Sequence, residues 1–377
     1  MAIPFRFDAL RRFPDVEADN LFAVDATDRL ILDRAAGHLA DAPAASVTVI
    51  GDRYGALTLG AAGLYGATGI RTHQDPLLGE RALARNAHVV GLDGAFTNHG
   101  LDEGLLAGAQ TVLLQLPREL AALDEMAQTI AEFASPEVQV FAGGRVKHMT
   151  LAQTRLLRER FGHVDVGLAE QKSRVLHAAE PVRGGEHAGY PRREYHRDIG
   201  VWVCAHGGAF GGTGIDIGTR FLLGFTDQMP VGAITALDLG CGTGVLAATL
   251  AQSNPAMRVI ATDQSAAAVL SATQTAQANG VDGRVRVVRD DVAESIATAS
   301  VDLVVCNPPF HVGATVHTGL AQRMFGAAAR ILRPGGQLWT VYNSHLGYRS
   351  ALGRTVGPTR EAGRNRKFTV TVSTVKR

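Results

Sequence analysis

The sequence predicts two tandem Rossmann-like α/β domains, residues 1–190 and 191–377, with the first a decayed copy of the second. Three observations predict it. Strand-like apolar runs alternate with helix-like segments through both halves, the pattern of a parallel sheet with crossover helices. A glycine-rich turn, Asp238-Leu239-Gly240-Cys241-Gly242-Thr243-Gly244, follows a short strand signal in the second half. The 377 residues suffice for two full hydrophobic cores.

In the first half, residues 46–50 form an apolar run ending in Gly51-Asp52-Arg53-Tyr54-Gly55-Ala56-Leu57-Thr58. An alanine-rich segment and Gly69-Ile70-Arg71-Thr72-His73 come next. Residues 111–116 read as a strand ending at Pro117, residues 119–134 carry apolar positions at helical spacing, and residues 138–142 read as a strand.

The second half repeats this order. Ala236-Leu237-Asp238 enters the glycine turn, residues 245–252 read as a helix, and residues 259–263 as the next strand. Residues 265–279 read as an alanine-rich helix closed by Gly280. Strands at 285–288 and 301–306 lead to Asp290-Asp291 and to Asn307-Pro308-Pro309-Phe310. A helix over about 318–332, the turn Arg333-Pro334-Gly335-Gly336, a strand over 337–342 and an alternating, antiparallel-type strand over 368–375 complete the half. In the first half, Gly51-Asp52-Arg53-Tyr54-Gly55 stands where the glycine turn would be, and Gln115-Leu116-Pro117 where Asn307-Pro308-Pro309 would be. The run Gly207-Gly208-Ala209-Phe210-Gly211-Gly212-Thr213-Gly214 reads as a flexible crossover or loop between the halves.

Composition narrows the function classes. A formal charge of +1 gives no global basic field, so any nucleic-acid surface must be local. Cys204, Cys241 and Cys306 are widely spaced, without a C-x-x-C pair or a His/Cys cluster of zinc spacing, so neither a disulfide framework nor a metal site is expected. Residues 1–8 lack a signal-peptide pattern, and no run approaches the ~18 apolar residues of a membrane span. A soluble cytoplasmic protein is expected.

The glycine turn and the acidic strand ends read as a cofactor site. Gly240, Gly242 and Gly244 let the backbone approach a ligand, and the next helix presents its free N–H groups there. Asp238 can accept a hydrogen bond from an ammonium group, Asp263 can take two ribose hydroxyls, and Asp291 can reach an adenine amine, with Asp290 its competitor. A dinucleotide fold has a similar acidic residue about 20 positions on. The third acidic strand end and Asn307-Pro308-Pro309-Phe310 favour S-adenosylmethionine instead.

The latter run reads as a clamp for a flat amine. The lone pair of an exocyclic amine is delocalised into its ring. Two acceptors for its hydrogens favour a pyramidal nitrogen, and the Asn307 side-chain carbonyl and the Pro308 backbone carbonyl are those acceptors. The prolines stiffen the turn, and Phe310 offers a stacking face. His311 reads as a hydrogen bonder behind the clamp. N-methyl transfer is the expected chemistry.

These residues give the chain a clear resemblance to the bacterial ribosomal RNA guanine-N2 methyltransferases. That family combines a degenerate amino-terminal class I methyltransferase domain with a catalytic carboxy-terminal one. The resemblance rests on Gly214-Ile215-Asp216-Ile217-Gly218-Thr219-Arg220-Phe221, the glycine turn, residues 307–311 and Tyr342-Asn343-Ser344-His345-Leu346-Gly347-Tyr348. In the first half Leu113-Leu114-Gln115-Leu116-Pro117-Arg118 and Ala142-Gly143-Gly144-Arg145-Val146-Lys147-His148-Met149 also carry it. His345-Leu346-Gly347-Tyr348 and Arg366-Lys367-Phe368 resemble the large-subunit branch more than the small-subunit one. The resemblance implies that residues 215–221 pack over the cofactor, with Thr219 and Arg220 near its carboxylate.

Three basic groups are candidates for RNA contact: Arg183, Arg192, Arg193, His196 and Arg197; the six cations from Arg349 to Lys367; and Arg145, Lys147 and His148. The expected partner is ribosomal RNA or a ribosomal subunit, met by a monomer, and the target guanine must be unpaired or flipped out. Two other functions fit the same clamp or fold: methylation of a protein glutamine amide, and a non-catalytic RNA-binding assembly factor.

Overall fold

The computed structural model describes residues 5–184, 189–230, 232–309 and 316–376, with 316–318 as backbone only. Phe310 and His311 lie outside the described residues. The chain divides into two compact units, Met1–Tyr190 and Pro191–Arg377.

The first unit opens on a reciprocal cap. The Asp25 carboxylate accepts from the Thr27 and Asp28 amides while Asp28 takes the Asp25 N–H, which starts α1 (Ala26–Ala40). There follow β1 (Val47–Ile50), α2 (Ala56–Tyr65), β2 (Ile70–His73), α3 (Leu77–Val90), β3 (Phe96–Asn98), α4 (Glu103–Leu106), β4 (Thr111–Gln115), α5 (Leu120–Phe133), β5 (Gln139–Arg145), α6 (Leu151–Arg160), β6 (Phe161–Val166) and β7 (Ser173–Pro181). The strands form one sheet in the order β3-β2-β1-β4-β5-β7-β6, with β7 antiparallel to both neighbours.

The second unit begins with a hairpin, β8 (Arg192–His196) and β9 (Val201–Ala205), then α7 (Ile217–Leu223). Next come β10 (Thr235–Leu239), α8 (Val245–Ser253), β11 (Arg258–Asp263), α9 (Ala266–Ala278), β12 (Val285–Arg289), β13 (Val301–Cys306), α10 (Val316–Ile331), β14 (Leu332–Asn343), α11 (Arg349–Thr355), β15 (Thr359–Arg364) and β16 (Phe368–Thr374). Its sheet has the order β12-β11-β10-β13-β14-β16-β15. Strand for strand this repeats the first sheet, as expected of a duplicated Rossmann-like fold.

The central strands read as near-continuous apolar runs because helices cover both sheet faces. Alternate residues of β13 divide between two cores: Leu303 and Val305 pack with Leu246 and Ala272, while Val304 and Cys306 pack with Phe325 and Leu338.

Two expectations are corrected. The glycine run 207–214 lies inside the second unit rather than between halves. It is tied to the β8–β9 hairpin, with His196 Nε2 2.8 Å from the Thr213 carbonyl and Thr213 Oγ1 donating to Glu194 Oε2 at 2.7 Å. Arg333-Pro334-Gly335-Gly336 is not a separate turn. It falls within β14, where pairing with β13 shifts register between Val301 and Leu303.

Candidate active site

The glycine turn joins β10 to α8. Gly240, Gly242 and Gly244 all have positive φ, at 77°, 51° and 75°. Gly244 is required by packing as well, since a Cβ there would lie 2.8 Å from the Ala272 Cβ on α9. Around Gly242 the case is different. A Cβ would meet nothing within 4 Å, so the turn borders open space at its middle step.

Asp238 lies on β10 beneath that turn and is fully buried. Its Oδ2 accepts from the Ala247 amide at 3.1 Å, in the first turn of α8, and so caps the helix from outside. Its Oδ1 is buried with no hydrogen-bond partner. Burial, helped by the nearby Asp263 charge, pushes the carboxyl up to about 7. A buried carboxylate with one orphan oxygen is a fit for a cationic ligand group.

Asp263 ends β11. Its Oδ2 accepts from the Gly242 amide and its Oδ1 from the Ser265 amide, each at 3.0 Å. It thus fixes the turn from the neighbouring strand.

The geometry separates the two acidic residues after β12. Asp290 folds back on its own loop, accepting from the Ser295 amide at 2.9 Å and the Ser295 hydroxyl at 2.7 Å. Asp291 is instead ion-paired with Arg323 on α10. That pair was not legible in the sequence, because the partners are 32 positions apart and neither shares a motif.

Asn307 follows β13 and sits beside the glycine turn, because Leu239 pairs with Cys306 across β10 and β13. Its Nδ2 donates to Asp216 Oδ2 and to Thr219 Oγ1, both at 2.9 Å. Asp216 is also the N-cap of α7, accepting from the Gly218 amide at 2.8 Å and the Thr219 amide at 3.1 Å. Both amide hydrogens of Asn307 are therefore spoken for. Its Oδ1 is left buried and unpartnered, a fixed acceptor.

Other expected residues fall differently. Arg220 is ion-paired with Asp198 on the surface. Cys241 and Cys306 are buried thiols, and burial raises both far above the ordinary thiol value, which leaves them as space-filling groups. Of the His345-Leu346-Gly347-Tyr348 run, Tyr348 is a packing residue, edge-on to Phe325 at 5.4 Å between ring centroids.

The first unit holds the same frame with altered side chains. Leu114 pairs with Ile50 as Cys306 pairs with Leu239, so Gln115 occupies the position of Asn307. Gln115 Nε2 donates to Asp28, the third residue of its α1, as Asn307 donates to Thr219, the third of α7. Asp52 is buried and both its oxygens are used, by the Leu57 and Thr58 amides at 2.7 and 2.8 Å. No oxygen is orphaned there. Arg53 stands where Gly242 stands in the second unit. It borders a cavity of about 210 Å³ together with Arg118, Arg145, Lys147 and His148. Desolvation, then the Arg118, Lys147, Arg145 and Arg53 charges, hold the His148 imidazole below its ordinary pKa.

Known proteins share both halves. Residues 200–372 match the family described as methyltransferase small domain, and residues 1–181 the RLMG N-terminal domain. Ribosomal RNA large subunit methyltransferase G of Streptomyces avermitilis is 34% identical, over 98% of this chain and 97% of its own length. The same-named protein of Pseudomonas aeruginosa PAO1 is 35% identical over 98% of each. Among solved structures, T. thermophilus 16S rRNA N2 G1207 methyltransferase (RsmC) in complex with AdoMet and guanosine superposes with a TM-score of 0.74 at 22% identity. That likeness covers 93% of this chain and 92% of the other, and shows that the two share the tandem class I methyltransferase fold. With a likeness that runs through both units at a third identity, the chain belongs to the ribosomal RNA large subunit methyltransferase G family.

Proposed function

We propose that the protein transfers a methyl group from S-adenosylmethionine to the exocyclic N2 amine of a guanine in large-subunit (23S) ribosomal RNA. The observation that carries the reading is the state of Asn307: its amide nitrogen is held by Asp216 and Thr219, and its Oδ1 is a buried, unpaired acceptor beside the glycine turn. The residues around that turn fit the cofactor. Asp238 offers its orphan Oδ1 to the ammonium group, the open space at Gly242 admits the ligand, and Asp263, ending β11 beside that turn, is the carboxylate for the ribose hydroxyls. Asp291 is the residue for the adenine amine, its carboxylate shared with Arg323, since Ser295 folds Asp290 back onto its own loop. S-adenosylmethionine, when bound, supplies a methyl group on a positively charged sulfur.

The chain itself supplies position. Asn307 Oδ1 and the Pro308 carbonyl accept the two amine hydrogens, turning the nitrogen lone pair out of conjugation. Phe310, outside the described residues, is assigned by the sequence to stack on the base. No strong base is needed, because the proton leaves to water after transfer. The RNA is bound in part by the first unit, whose basic cavity at Arg53, Arg118, Arg145 and Lys147 suits phosphate. Among the described residues no helix is long and apolar enough to cross a membrane. The protein acts as a cytoplasmic monomer on RNA or an assembling subunit.

The test is transfer of labelled methyl to separated 23S and 16S RNAs lacking base methylation, followed by nucleoside analysis. Labelled N2-methylguanosine in 23S RNA, absent with Asn307→Ala, is the expected result. Label in 16S RNA alone overturns the choice of subunit. No label in either RNA, naked or in subunits, overturns the reading and points to a protein amide substrate.

A further inference from the structure

Spacing along the chain predicts no metal site, but pairing between strands builds a candidate one. On β6, His163 and Asp165 share a face. Across the antiparallel ladder Asp165 stands opposite His177 of β7. One ligand-type atom from each of the three side chains lies within 4.8 Å of the others. His163 Nε2 is 2.8 Å from Asp165 Oδ2. Gln139 Oε1, on β5, accepts from His177 Nε2 at 2.8 Å, which leaves the Nδ1 lone pair of that ring free. Phe141 stacks on the same imidazole, with ring centroids 4.8 Å apart and planes 19° from parallel. The His177 ring is thus fixed by neighbours before any ion arrives.

We propose that His163, Asp165 and His177 form a binding site for a divalent transition metal of the zinc class. Two imidazoles and one carboxylate suit Zn²⁺ and its neighbours, whereas Mg²⁺ keeps to oxygen ligands. Three protein ligands leave at least one position to water. The His163 and Asp165 side chains are 49% and 70% exposed, so the ion exchanges freely with solvent. The site has a mechanical role. β6 is the outermost strand of the first sheet, paired among the described residues with β7 alone, and a metal bridging the two strands pins that edge through side chains. This inference does not rest on the methyl-transfer reading, since the ligands lie on the opposite sheet edge from β3 and outside the glycine turn and clamp.

The experiment uses the full chain, stripped with a chelator and titrated with Zn²⁺ against a chromogenic competitor. Wild type is expected to bind one equivalent whose affinity falls at least about tenfold in His163→Ala and in Asp165→Asn. Co²⁺ gives visible absorption bands that the variants lose, and Mg²⁺ leaves the protein unchanged. Amide exchange across residues 161–166 slows with Zn²⁺ in wild type alone. The substituted side chains are 49% and 70% exposed, so the metal-free variants melt as wild type does; His163→Gln repeats the test at near-equal volume. Equal zinc affinity in wild type and all three variants overturns the proposal, as does zinc binding that leaves exchange across β6 unaltered.

Discussion

Arg53 and Gly242 occupy the same step of the same turn, with φ at 63° and 51°. The glycines on either side match as well, Gly51 and Gly240 at 78° and 77°, Gly55 and Gly244 at 99° and 75°. The first unit therefore kept the backbone of the glycine turn and placed a charged side chain where the second unit leaves open space.

Gly242→Arg should reproduce that state in the second unit. A non-glycine residue in this region costs about 1–2 kcal/mol, so the fold survives with a modestly lower Tm. Cofactor binding, read by calorimetry, is expected to vanish. Wild-type affinity in the variant would mean that Arg53 is not what closes the first turn.

Asn307→Ala removes the fixed acceptor without touching Asp238 or Asp263. Loss of one preorganised transition-state hydrogen bond costs about 10²–10³-fold in kcat. The dissociation constant for S-adenosylmethionine is expected to stay within about threefold, since the cofactor's own partners remain. Joint loss of binding and turnover would make Asn307 a cofactor or folding residue.

Thr219→Val deletes one of the two hydrogen bonds that aim Asn307, at similar volume. A net hydrogen bond of about 1 kcal/mol corresponds to roughly a fivefold fall in kcat. Thr219→Ser should restore it, and the KM for RNA should not move. A rise in KM alone would place Thr219 in substrate binding instead.

Asp238 should link cofactor affinity to pH. Its folded carboxyl is raised to about 7 from an ordinary 3.8, so the stability it contributes is full below pH 3.8 and is lost as pH rises through 7. The Tm of Asp238→Asn relative to wild type should therefore improve from pH 5 to pH 8. An ammonium ligand prefers the ionised form, so cofactor affinity should rise by up to about tenfold per unit approaching pH 7, then level off. Calorimetry in buffers of different ionisation enthalpy should register proton release at pH 6. A flat profile would place the ammonium elsewhere.

Arg118→Ala combined with Lys147→Ala should weaken binding to 23S RNA and lower the salt slope by about 0.7 for each lost phosphate contact to a single strand. kcat at saturating RNA should hold, since both residues lie in the first unit and Asn307 in the second. An unchanged salt slope would exclude the cavity as an RNA contact.

Much of this was legible in residue order. The glycine turn and the strand ends at Asp238, Asp263 and Asn307 announced themselves because each is a local signal: glycines at positive φ, or a polar residue ending an apolar run. The parallel cores were readable for the same reason. What escaped notice depends on partners distant in the chain. Asn307 meets Asp216 across 91 positions, and Asp291 meets Arg323 across 32. In β6 and β8 exposed polar residues dilute the strand alternation, as in Arg192–His196, whereas Val201–Ala205 is an apolar run that residue order carries. Helix α1 could have been found. Asp25 and Asp28 form a capping box directly ahead of Leu30, Ile31 and Leu32, a signal that residue order carries in full.

Helix α7 has only seven residues, too few to persist by its own hydrogen bonds. Its first turn is anchored by Asp216, and that same carboxylate steers Asn307. Fraying of α7 and mis-aiming of the amide are therefore one event, not two. Amide exchange at Gly218 and Thr219, whose N–H groups donate to Asp216, should report the aim of the Asn307 amide together with the winding of this short helix.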